Sequence, residues 1–182
     1  MNTEPINPNF DQHKVKPKAP KVEELIEQCK SVMMATINED GTPLVSTAPY
    51  SRVGNSFQVL VSFMAKHTKN LRDRKQVSVM FVEDEATSKQ LYARHRLTIA
   101  TQAELIDKNN PLYQQAMDDL TNRHGKVVDV LGSLDDFIMF NFKPISGAYV
   151  NGFGSAYFVD ENLQVMEHRT GAHGQHNVDT KK

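Results

Sequence analysis

Apolar and polar residues alternate in several short runs of this chain, with the two-residue period of strands that have one buried face. Across residues 56–63, Phe57, Val59, Val61 and Phe63 share one side. Apolar runs at residues 32–37 and 44–48 flank Asn38-Glu39-Asp40-Gly41. Asp-Gly between two such runs predicts a hairpin, because glycine accepts the positive φ of a tight turn. The turn-forming link Arg52-Val53-Gly54-Asn55 then leads into residues 56–63, so these three strands are expected to form an antiparallel meander. Strand patterning resumes at residues 76–82 and again at residues 94–106, where Leu97 and Ile99 share a face. The last strands are expected at residues 136–142 and 147–159, separated at Pro144 and Gly147.

A helical period appears elsewhere. Val22, Leu25, Ile26 and Cys29 recur at i, i+3, i+4 and i+7, after Pro20 and beside Glu23 and Glu24, which suit a helix start. Residues 65–74 are polar and basic and predict a short exposed helix. Residues 110–131 carry the stripe Leu112, Tyr113, Ala116, Met117 and Leu120, with Asn110 as N-cap before Pro111 and Gly125 dividing off a second short helix. The sum is mainly β with flanking helices: about six or seven strands whose short antiparallel links favour a closed or partly closed barrel over a doubly wound sheet. One domain is expected at residues 20–165. It follows an arm at residues 1–19, disordered or draped over a partner, and precedes a His-rich C-terminal loop at residues 166–182.

Charge narrows the function. With 21 basic and 22 acidic residues, the chain is no general nucleic-acid coat. The single cysteine, Cys29, excludes an internal disulfide framework and fits a reducing compartment, and it reads as a buried or inert thiol. No apolar run reaches the roughly 18–20 residues needed to span a bilayer, and the N-terminus lacks a signal peptide's apolar core. A cytoplasmic protein is expected.

Four stretches could carry chemistry. Lys66, His67, Thr68 and Lys69 cluster where a strand passes into a helix start, which suits a phosphate or carboxylate or is simply a solvated basic turn. Arg94 and Arg96, two apart on an expected strand, would share a face and either bind one anion or meet the acidic loop at residues 83–85. Gly152 and Gly154 flank Phe153, marking a bulge or a place where a flat aromatic ligand approaches the backbone. His168, His173 and His176 lie in a polar tail whose spacing is no zinc signature, although one histidine suffices as an axial haem ligand. No serine elbow, P-loop, Rossmann glycine signature or HExxH motif is present, which favours a cofactor-binding barrel over a hydrolase or kinase.

The segments MATINEDGTPLVSTAPY, KHTKNL with QVSVMFVED, KQLYARHRLT, LDDFIMF and GAYVNGFGSAY occur in this order over about two-thirds of the chain. Together they resemble the split-barrel superfamily typified by pyridoxamine-phosphate oxidase, whose members use flavin mononucleotide (FMN). Within it the YARHRLT and GFGSAY stretches and the His tail are most similar to haem-utilisation proteins of the HugZ/HutZ type. The resemblance implies a six- to seven-stranded antiparallel split β-barrel, a homodimer, and haem near the dimer interface. It further implies an axial histidine from the C-terminal loop, hydrogen-bonded by an acidic residue of the other subunit. Matched to this sequence, the iron ligand is expected at His173, with His168 and His176 as alternatives. The carboxylate is expected at Asp136, with Asp135 as its neighbouring alternative, and Arg94 or Arg96 near the haem. Lys66, Lys69 or the arginines would receive propionates, and Gly152 and Gly154 would admit the flat macrocycle. The implied function is oxidative degradation of haem to release iron, drawing on an unidentified electron donor. One alternative is an FMN-dependent oxidoreductase in which Lys66, Thr68 and Lys69 hold the phosphate. Another is a haem carrier or store without turnover.

Overall fold

The computed structural model describes residues 18–168. The helix α1 (Val22–Gln28) precedes strands β1 (Ser31–Ile37), β2 (Pro43–Pro49), β3 (Ser51–Val53) and β4 (Ser56–Ser62). Next come α2 (Lys66–Arg74), β5 (Gln76–Val82), a 3₁₀ turn (Leu91–Ala93) and β6 (Arg96–Ile106). The chain continues through α3 (Pro111–His124), α4 (Val127–Ser133), β7 (Phe137–Val150), β8 (Ala156–Val159) and β9 (Val165–His168). Six longer strands carry the sheet, and β3, β8 and β9 are short additions.

The strands follow the order β2-β1-β5-β6-β7-β4-β3, with β8 on β7 and β9 on β8, all antiparallel. The two ends of that path, β2 and β3, are consecutive in the chain and joined by Tyr50 alone. The sheet must therefore curl until its ends nearly meet. Because β2 pairs with neither β3 nor β4, the seam stays open and the barrel is split. Tyr50 plugs it. Its ring is fully buried, edge-on to Phe57 at 5.9 Å and to Phe81 at 5.0 Å, with the Arg123 guanidinium 4.5 Å from its centroid. Its hydroxyl donates to the Ile26 carbonyl, and burial pushes its pKa up to about 12, so it stays a neutral donor.

Inward residues of β1, β4, β5, β6 and β7 fill the barrel, and α1 closes it with Val22, Leu25 and Ile26. A second core lies outside the barrel wall, where Ile106 and Met139 meet Tyr113, Met117 and Leu120 of α3 and Val128 of α4. Asn110 caps α3 as expected, accepting from the Leu112 N–H at 2.9 Å.

Several expectations need correction. The predicted three-strand meander is two separate hairpins, β1–β2 and β3–β4, at opposite ends of the sheet. Residues 136–142 and 147–159 are not divided at Pro144: β7 runs through it, and a bulge absorbs the proline, Thr101 pairing with Pro144 and Ala100 with Ser146. The break falls at residues 151–155 instead. Helix α2 is not simply exposed, because Thr68, Asn70 and Leu71 are buried. Asn70 ties it to β1 through Thr36 Oγ1 at 3.0 Å and to Asn38 Oδ1 at 2.9 Å. The tail's first residues form β9 rather than loop.

Replacing Tyr50 separates the two halves of its role. Tyr50→Phe is expected to cost about 1–2 kcal/mol, the hydrogen bond and a stranded carbonyl; Tyr50→Ala is expected to cost about 3–5 kcal/mol. Urea denaturation measures both, and a loss under about 1 kcal/mol for the alanine variant would contradict the closure role.

Candidate functional site

The candidate chemistry falls at the two ends of β6 and β7. At one end Arg96 opens β6, paired in register with Val82 and Val150, beside the turn of residues 151–155. In that turn the Asn151 N–H donates to the Ser155 carbonyl at 2.9 Å and the Ser155 N–H to the Gly152 carbonyl at 3.2 Å. Gly152 and Gly154 take φ of 129° and 67°, which side chains disfavour. The turn leaves Phe153 exposed at its tip. His168 Nε2 lies 2.6 Å from the Gly154 carbonyl; a carbonyl only accepts, so Nε2 carries the proton.

Arg94 sits outside the strand, capping the 3₁₀ turn. Its Nε donates to the Glu83 carbonyl at 2.5 Å and its Nη1 pairs with Glu85 at 2.8 Å. Arg96 Nη1 donates to the Arg94 carbonyl at 3.1 Å, and the guanidinium has no carboxylate partner among the described residues. Two grooves open here. One, of about 720 Å³, is lined by Cys29, Met33, Met80, Glu85 and Arg94; the other, of about 520 Å³, by Lys18, Lys21, Glu83, His95 and Asn151. Burial raises the Cys29 thiol, whose Sγ faces the Val82 carbonyl at 3.5 Å, as an inert thiol requires.

At the other end α2 starts without a side-chain cap. Lys66 makes no ion pair with a described residue and lines an open cleft of about 510 Å³ with Asn38, Glu39 and Asp40. Lys69 is paired with Glu39. Thr68 is buried and donates to the Ser62 carbonyl at 2.7 Å. His67 Nε2 is shielded without a hydrogen-bond partner, and desolvation lowers the ring's pKa. Asp136 is exposed beside this helix start: its carbonyl accepts from the Phe63 N–H at 2.6 Å, and Ser62 Oγ lies 3.4 Å from Oδ2. Asp135 is exposed as well.

A family model described as pyridoxamine 5'-phosphate oxidase matches residues 19–151. The chain belongs to this family. Within the pyridoxamine 5'-phosphate oxidase family it is 38% identical over 140 residues to a Vibrio cholerae protein named heme oxygenase HutZ, covering 77% of this chain and 80% of the relative. A crystal structure of HutZ, there called the heme storage protein of Vibrio cholerae, aligns with a TM-score of 0.66 at 35% identity, over 70% of this chain and 90% of that one. The Campylobacter jejuni ChuZ structure shares the fold, with a TM-score of 0.74 at 23% identity, over 84% of this chain and 63% of that one. The split-barrel expectation therefore holds.

Against this family fold, the predicted site residues divide. Arg94, Arg96, Gly152, Phe153, Gly154 and His168 share one end, while Lys66, His67, Thr68, Lys69 and Asp136 share the other. The fourteen residues of β7 separate the two groups, on the order of 40 Å along the strand. His173 and His176 lie outside the described residues. The expected shared face of Arg94 and Arg96 is overturned, because Arg94 precedes the strand and is spent on the acidic loop. The glycines form a turn, not a bulge within a strand. Sequence reasoning missed residues 18–21, which bind the glycine turn, and His95, which lines a groove beside it. Asn151 and Ser155, small polar residues bracketing the glycines, were the available signal.

Burial that keeps His67 neutral makes stability depend on pH. With its folded pKa below the unfolded value, the unfolded chain takes up the proton first. Stability is then retained above the unfolded value and lost as pH falls below it. The urea midpoint is expected to drop less between pH 7 and pH 5 in His67→Gln than in wild type; equal drops would contradict this.

Proposed function

We propose that the protein binds haem and opens the porphyrin oxidatively to release iron, with each site built from two copies of the chain. The carrying observation is the division of the candidate residues between the ends of one long strand. Asp136 and the start of the tail at His168 are too far apart along β7 for one chain to join them directly. A two-fold pair, in which each surface meets its own copy, brings unlike ends together.

An outer face of the barrel that none of the described helices covers supports such a pair. Two cross-strand rows on it, Val45–Ala35–Ser78–Ala100–Ser146 and Met33–Met80–Thr98–Ala148, hold no charge. Val45 and Ile145 expose 63% and 53% of their surface. Exposed apolar side chains gathered on one face suit an interface.

The residues present suit haem. Among the described residues no carboxylate pairs with the Arg96 guanidinium beside the glycine turn or with the Lys66 ammonium at the other end; either can receive a propionate. The turn presents the exposed ring of Phe153 to a flat ligand. When bound, haem supplies the iron and the ring on which dioxygen chemistry occurs. His173 would ligate the iron, and Asp136 from the second chain would hold the imidazole in one tautomer and raise its donor strength. Arg96 would orient the haem, and Arg94 would hold the acidic loop clear of it. The names of the relative, heme oxygenase and heme storage protein, support haem as the ligand. Turnover and an external electron donor are our reading. We place the protein in the cytoplasm, which the free thiol of Cys29 supports.

A flavin enzyme is the second reading, favoured by the family model and the uncapped start of α2. Against it, Lys69 and Thr68, two of the three expected phosphate ligands, are already committed to Glu39 and the Ser62 carbonyl.

Hemin titration tests the proposal. A Soret band saturating at one haem per chain is expected, and it should decay on adding a reductant in air. Asp136→Asn is expected to weaken binding about 10-fold or more, and His173→Ala to change the ligand field. A band stable for hours would leave storage; no band, with a yellow protein, would favour flavin.

A further inference from the structure

We infer that His168 is a positioning residue rather than an iron ligand. Together with the N-terminal strap of residues 18–21, it clamps the glycine turn of residues 151–155 through two separate sets of bonds. The clamp sets the point from which the chain continues towards His173, and in that respect the inference rests on the proposed haem function.

Four hydrogen bonds hold the strap. The Lys18 N–H donates to Ser155 Oγ at 2.9 Å and Asn151 Nδ2 to the Ala19 carbonyl at 2.7 Å. The Tyr157 hydroxyl donates to the Lys18 carbonyl at 2.5 Å, and the Lys21 N–H to the Tyr149 hydroxyl at 3.1 Å. Every strap group used is backbone, so its path is fixed whatever its side chains. The groups that receive it are buried: Tyr149 and Ser155 are 0% exposed, Asn151 1% and Tyr157 7%. The Lys18 side chain also lies over Gly152, where an added Cβ would sit 3.6 Å from Lys18 Cε.

His168 grips the same turn at a separate point, through its bond to the Gly154 carbonyl. Tyr157 is the pin between the two grips. Its hydroxyl holds the strap, its ring lies 5.1 Å from the His168 ring, and its backbone is paired with His168 in register. Protonated and bonded, His168 Nε2 has no lone pair for a metal. Nδ1, the nitrogen nearer the main chain, is all that remains.

The test compares His168→Gln, His168→Ala and Tyr157→Phe in the full chain. The glutamine amide still offers an N–H to Gly154, so hemin affinity should stay within about twofold of wild type. His168→Ala and Tyr157→Phe should each weaken it about fivefold, the loss of one net hydrogen bond. All three should keep the wild-type Soret maximum and electron paramagnetic resonance spectrum, because the ligand is unchanged. In the haem-free protein, hydrogen exchange at the Ser155 amide should quicken about fivefold in His168→Ala and Tyr157→Phe. A changed spectrum in His168→Gln would make His168 a ligand and overturn the inference, as would unchanged Ser155 exchange in His168→Ala. Should wild type bind no hemin, the proposed function fails, and the exchange measurement still decides the clamp.

Discussion

One covalent constraint shapes the molecule: the two ends of a seven-strand path are joined through Tyr50. A sheet so tethered cannot lie open. It curls, and the curl creates an interior that Tyr50, Phe57 and Phe81 fill with mutually edge-on or tilted rings. Aromatic pairs in such geometry contribute about 0.5–1.5 kcal/mol each beyond their burial. The Tyr50 hydroxyl then docks α1 through Ile26, and Arg123 of α3 stacks on the same ring. Closure, end plug and outer helix thus meet at one side chain.

Closure also fixes where chemistry can be. The barrel interior is packed with side chains, so the candidate functional groups lie at the rims and on the outer face. The long strands β6 and β7 send Arg96 and the glycine turn to one rim, and Asp136 and the start of α2 to the other. Electrostatics sorts the cations further. Arg94 and Lys69 have local carboxylate partners, whereas Arg96 and Lys66 have none among the described residues. Surface pairs of this kind add little stability; their consequence here is to mark which charges remain for an anionic ligand. A site divided between rims, beside an uncharged face, is the physical case for two chains.

Much of this was legible in the sequence, and the reasons are local. The β1–β2 hairpin, the period of β4, the Asn110 cap and the stripe of α3 each depend on neighbours within a few residues. What failed depended on distant partners. Nothing near residues 43–53 reveals that β2 and β3 go to opposite ends of the sheet. Pro144 reads as a breaker until a bulge opposite Ala100 and Thr101 accommodates it. The pairing of Arg94 with Glu85 was visible as a possibility, but strand patterning cannot show that Arg94 lies two residues before β6, at the end of the 3₁₀ turn. The strap of residues 18–21 had no signal of its own, because it is held by its backbone.

The central claim is that each haem site joins Asp136 of one chain to His173 of another, and hybrid dimers test it most directly. Asp136→Asn and His173→Ala chains, each carrying a different tag, are unfolded together, refolded and purified as mixed pairs. In trans, one site of each hybrid regains both native residues while the other loses both. The account predicts one haem per hybrid dimer bound with wild-type affinity and a wild-type Soret maximum. Hybrids no better than the two parent variants would place both residues in one chain and contradict the account.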